Sequence, residues 1–290
     1  MCDLISTFVF FDIETTGLPH QERNQTKITE LTFVAVSAID IECTAIGSLP
    51  LVNKLSLLFN PQRKINPEVV RLTGLSKSSL AQQPVFKSKI KTLNSFLEEL
   101  PKPVCLVAHN GNRFDFKILS AEYKDADAKF PEDLLCVDSL IGFKKVLKDD
   151  TLYKKSQQNN VRPVSTSSPK IEDILTDDEG EWPELNASVE EWQQIDELTR
   201  SLSNISCDKV KDERKCFERN NVKGKEVRKK VSYALSELYR RLLKKEPAHG
   251  HRAEVDCMML LECVIATKST FLPWANKFSK LLSQVTPLQR

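Results

Sequence analysis

Four consecutive apolar residues, Phe8 to Phe11, run without a break into Asp12, and Glu14 follows two positions later. Such a run, bounded downstream by Gly17 and Pro19, reads as a buried strand. Side chains along a strand alternate between faces, so Asp12 and Glu14 point the same way. Two adjacent carboxylates repel, and burying them unpaired is costly. Either a hard divalent cation lies between them, held by carboxylate oxygens, or the strand ends in solvent. The pair alone leaves both readings open.

The remaining pattern indicates an α/β domain. Strands are expected at Leu31–Asp40, Lys54–Asn60, Val104–Ala108 and Leu134–Asp138. Helices are expected at Asn66–Leu75, Pro84–Glu99, Phe114–Lys124, Ser139–Leu147, Ser232–Lys244, Arg252–Lys268 and Leu272–Val285. Residues 149–228 interrupt this order. They are polar and charge-blocked: Asp149–Arg200 holds 13 acidic and 5 basic residues, and Ser201–Val231 holds 5 acidic and 10 basic. We expect a discontinuous domain, 1–148 with 229–290, and a largely disordered insertion at 149–228. An amphipathic helix is expected near 188–203, because Ser188 and Glu191 form a capping box ahead of an apolar stripe. That helix either lies back on the domain or docks an unidentified protein partner.

The net charge of +2 gives no bulk attraction for nucleic acid. Eight scattered cysteines without a CxxC pair, no secretory leader at Met1–Thr7 and no long apolar run point to a soluble intracellular protein with reduced thiols, cytoplasmic or nuclear and off the membrane.

Two further acids stand where ligands gather. Asp115 follows the strand VCLVA and the loop HNGNRF, at the carboxyl edge expected of an α/β sheet. Asp256 lies early in a helix behind His251, in HRAEVD, and is either a favourable charge at a helix N-terminus or a ligand. FDIETTGLP, LVAHNGNRFDFKIL and HRAEVD together resemble the three motifs of the DEDDh 3′→5′ exonucleases. KLSLLFNP, VVRLTGLS, VDSLIGFKKVL and KVSYALSELYRRLL extend the resemblance to the three-prime repair exonuclease (TREX) family, over about residues 5–148 and 229–266.

The resemblance implies an RNase H-like fold, a mixed sheet of about five strands with helices on both faces. It implies two magnesium ions, with manganese as a substitute. Asp12 would touch both ions, Glu14 and Asp256 would complete one site, and Asp115 the other. His251 would be the general base, with His249 as competitor and His109 structural. Leu18 and Leu72 would meet the terminal bases. Asn110, Arg113, Phe114, Ser232 and Tyr233 would contact sugar or phosphate, although Phe114 stands where the family has tyrosine. Val255 replaces the family glycine. The activity implied is removal of 5′-nucleoside monophosphates from DNA 3′ ends, single strands preferred, in DNA degradation or repair. A homodimer through KLSLLFN is implied as well. The rival readings are a DEDDh exonuclease acting on RNA and an inactive nucleic-acid-binding module.

Overall fold

The computed structural model describes residues 4–147, 231–247 and 251–290, all within one compact unit. The expected insertion and its helix near 188–203 lie outside the described residues, as does His249.

The strands are β1 (Thr7–Thr15), β2 (Ile28–Ser37), β3 (Asn53–Leu58), β4 (Val104–Ala108), β5 (Leu135–Asp138) and β6 (Lys280–Leu281), in the order β3-β2-β1-β4-β5-β6. β1 pairs antiparallel with β2 and parallel with β4, so the sheet is mixed. β3 is one edge. The sixth strand, beyond the five expected, has two residues.

The period-two alternation of β1 builds both cores. Val9, Phe11 and Ile13 pack with Leu31 and Phe33 beneath helices Ile90–Glu98 and Asp115–Asp125. Phe8 and Phe10 pack with Val34 and Val36 beneath helix Ala253–Ala266 and its neighbours. Phe8, Phe10 and Phe11 are fully buried, and each such ring contributes about 1.5–3 kcal/mol.

Three expected elements need correction. The helix expected over Pro84–Glu99 is a 3-10 turn at Phe86–Lys89 followed by an α-helix only from Ile90 to Glu98. The second strand ends at Ser37 rather than Asp40, because the Ser37 hydroxyl accepts from the Asp40 backbone N–H at 3.0 Å and caps helix Ala38–Cys43. The last helix runs Lys268–Phe278, not Leu272–Val285. Its expected C-terminal half is instead drawn to β5: Leu281 pairs with Leu135, and the Leu282 N–H donates to the Leu134 carbonyl at 2.8 Å. Here a free sheet edge overrides helical periodicity.

Candidate active site

β1 extends past its apolar run to Thr15, so both opening acids lie within the strand. By alternation Asp12 and Glu14 continue the face of Phe8 and Phe10, toward helix Ala253–Ala266. Asp256 sits in the first turn of that helix. Asp12, Glu14 and Asp256 each offer a carboxylate oxygen, and the three oxygens lie within 4.8 Å of one another. The register of β1 on β2 shifts between Glu14 and Thr15. The extra residue at this shift is Thr29 of β2, next to Glu30, an irregularity of the kind that occurs beside sites.

Asp115 is the buried first residue of helix Asp115–Asp125. The loop before it is tightly built. Asn110 takes a left-handed conformation at φ +65. A Cβ on Gly111 would sit 2.7 Å from both Ala108 and Phe116, so the close approach requires glycine. Asp138, at the end of β5, accepts from the backbone N–H groups of Asn110, Asn112 and Leu140, each at 3.0 Å.

The acids perturb one another. Burial first, then repulsion from Asp256, Asp115, Glu14 and Glu30, holds Asp12 well above the usual carboxylate range. Burial and the Asp256 charge push Glu14 up to about 8, with the Arg252 guanidinium pulling the other way. Burial also raises Asp115, opposed by backbone hydrogen bonds including one from Ile13. Asp256 rises to about 7 through burial and the Glu30 charge. These hard oxygen donors, crowded and mutually repelling, fit a divalent cation, which would neutralise the repulsion.

His251 is solvent-exposed at the start of this helix, and its backbone N–H donates to the Leu72 carbonyl at 3.4 Å. It still lies among enough protein atoms that desolvation lowers its pKa. Leu72 belongs to helix Pro67–Thr73, capped by the Asn66 side chain and ended by left-handed Gly74. The Asn66 N–H donates to the Thr16 carbonyl at 2.8 Å, and the Thr16 hydroxyl donates to Glu22 at 2.6 Å. The Glu22 N–H in turn donates to the Leu18 carbonyl at 3.1 Å. Backbone and side-chain bonds thus link the segments carrying Leu18, Leu72 and His251. Both leucines are partly exposed.

The Tyr233 carbonyl accepts from His109 Nε2 at 2.9 Å, and the Arg241 guanidinium lies over the Tyr233 ring at 5.0 Å. Ser232 is exposed and accepts from the Ala234 N–H. Arg113 donates its backbone N–H to the Asn110 carbonyl. Phe114 is partly buried and packs against the core that contains Phe11 and Phe116.

Three residues of this region were not singled out from sequence: Glu30, Arg252 and Asp138. Glu30 pairs directly opposite Glu14 and is 2% exposed. An acid inside the apolar run ITELTFVAV was its signal.

A mixed sheet whose β1 and helix Ala253–Ala266 bring three carboxylates together, with the charge of buried Asp115 felt at Asp12, defines a candidate cation-binding acidic site. The sequence model described as "Exonuclease" matches residues 9–167, more than half of the chain, and the chain belongs to that family. Human three prime repair exonuclease 2 is 38% identical over 143 residues, 46% of this chain and 59% of that protein. Bovine three-prime repair exonuclease 1 is 35% identical over 153 residues, 48% of each. The chain thus spans between 48% and 59% of the length of these curated relatives. Among solved structures, an exonuclease I superposes with a TM-score of 0.40 at 17% identity, over 50% of this chain and 31% of that one. A likeness that loose adds nothing to the case.

Proposed function

We propose that the chain is a metal-dependent 3′→5′ exodeoxyribonuclease that releases 5′-nucleoside monophosphates from DNA ends. The observation that carries this reading is the convergence of Asp12, Glu14 and Asp256 within 4.8 Å, with buried Asp115 close enough in charge to raise Asp12. Asp12, Glu14, Asp115 and Asp256 would hold the cations, magnesium in the cell. When bound, such ions neutralise charge at the scissile phosphate and lower the pKa of a water nucleophile.

The chain's own residues supply the rest. His251, exposed and with its pKa lowered, stays neutral near pH 7 and takes the proton from the attacking water. Leu18 and Leu72, tied to the same framework, stack on or wedge the terminal bases. Such contact tolerates any sequence, because every base has an apolar face. Asn110, Arg113, Phe114, Ser232 and Tyr233 border the path of the sugar-phosphate chain. The names of the relatives carry repair and three-prime exonuclease action, and we read the substrate as DNA.

Residues 1–148 and 229–290 form the exonuclease domain in this reading, with 149–228 inserted. A homodimer through β3 is proposed on its position at the sheet edge. Among the described residues five cysteines are free, which suits a reducing cytoplasmic or nuclear compartment. No helix among them is long and apolar enough to cross a membrane.

The test is digestion of single-stranded DNA and matched RNA oligonucleotides, labelled at either end, with magnesium. We expect stepwise DNA shortening from the 3′ end. His251→Ala should lower kcat by about 100-fold or more, since positioned proton transfer contributes about 10²–10⁴-fold, and Asp12→Asn, which removes a cation ligand, by at least as much. Digestion of RNA alone, or shortening from the 5′ end, contradicts the reading.

A further inference from the structure

We infer that Arg252 and Glu30 are a positioning pair that sets His251 and Asp256 over the β1 carboxylates. The inference rests on the hydrolytic reading above. Arg252 is the N-cap residue of helix Ala253–Ala266, in an extended conformation, and makes no side-chain cap of its own. The cap comes from another element. Buried Glu30, on β2, accepts from the Ala253 N–H at 3.3 Å. The same carboxylate receives the Arg252 guanidinium as a fork, Nε at 2.9 and 3.1 Å and Nη2 at 2.7 Å.

A forked guanidinium–carboxylate pair fixes orientation as well as distance. Its consequences run both ways along the chain. His251 is the preceding residue, so its backbone is held between the Arg252 fork and the Leu72 carbonyl. Four residues on, the Asp256 N–H donates to the Arg252 carbonyl at 3.1 Å. Glu30 itself pairs across from Glu14. One buried carboxylate therefore ties the strand position beside Glu14 to the residue between the base and the helix-borne ligand. Arg252 and Glu30 touch neither substrate nor reacting atoms in this account; they act through His251 and Asp256.

The test compares the full chain with Arg252→Gln, Arg252→Lys, Glu30→Gln and the double Gln variant. Four quantities are read: kcat and KM on a single-stranded oligodeoxynucleotide, thermal midpoint, and amide exchange at Ala253 and Asp256 without metal. Residues that orient ligands from behind cost about 10–100-fold when removed. We expect each Gln variant to lose kcat on that scale, with KM within about twofold and faster exchange at both amides. The double variant should be no worse than the poorer single one, because the pair acts as a unit. Lysine, which cannot fork, should recover only part of the loss. Glu30→Gln keeps an acceptor for the Ala253 N–H and removes the buried charge, so a folded variant is in hand if Arg252→Gln fails to fold. Wild-type kcat in the single variants, multiplied losses in the double, or losses matched by the unfolded fraction would overturn the inference. An inactive wild-type chain would instead overturn the exonuclease reading. In that case unchanged exchange in the variants would still refute the positioning role.

Discussion

At His109 the hydrogen bonds decide which nitrogen carries the proton. The Tyr233 carbonyl can only accept, so Nε2 bears the hydrogen. Ser139 then turns its hydroxyl to Nδ1 at 3.0 Å, with the Ala108 carbonyl as its alternative acceptor at 3.1 Å. Burial pushes this imidazole down from 6.5 to about 4. Between those values the unfolded chain binds a proton that the fold refuses, so stability is lost as pH falls from 6.5 toward 4, by about 3 kcal/mol in full. We expect His109→Gln to be less stable near pH 7 but to have the shallower acid limb. Urea unfolding at about pH 7 and about pH 4.5 measures both; parallel losses in the two chains would contradict it. The sequence marked His109 as structural from its place in HNG. It did not reveal that this ring joins the Asp115 loop to the segment of Ser232 and Tyr233, since those residues lie 124 positions apart.

Among the elements, β1 was legible in part: its buried run Phe8–Phe11 and the shared face of Asp12 and Glu14 were read, but not its reach to Thr15 or the two cores its alternation builds. Val104–Ala108 was read to the residue, since an unbroken apolar run between turns has one solution in a parallel sheet. Misreadings occurred where a competitor overrode the pattern: a local one at Ser37, which caps a helix three residues on, and a tertiary one at Leu281, which is drawn to β5. Glu30 escaped notice because its partner, Arg252, is 222 residues away. β3 was read as a strand and lies at the edge, with Asn53, Lys54 and Ser56 exposed. Unpaired edge groups are a template for a second strand. We expect sedimentation at twice the chain mass, with amide exchange at Lys54–Leu58 slowing as concentration rises. A monomer at all concentrations, or a dimer whose β3 amides exchange freely, would contradict pairing through this edge.

For the molecule as a whole, the fold turns one strand's periodicity into a division of labour. Odd positions of β1 face helices Ile90–Glu98 and Asp115–Asp125, and even positions face Ala253–Ala266. The acids occupy even positions at the strand's far end, where helix Ala253–Ala266 brings Asp256 to them. Without a cation this arrangement is strained by charge. Carboxylates raised by burial and repulsion favour the folded state below their unfolded values, and that contribution is lost as pH rises through the folded ones, about 7 for Asp256 and about 8 for Glu14. A bound divalent ion needs these groups ionised, so its stabilising effect should grow over the same interval. The most direct measurement is calorimetric titration of magnesium and manganese into the metal-free chain and its Asp12→Asn variant, with thermal midpoints at about pH 6 and about pH 8. The account predicts saturable binding that Asp12→Asn abolishes, and a metal-induced rise in midpoint that is larger at the higher pH. Equal binding in the variant, or midpoints that no divalent ion moves, would contradict it.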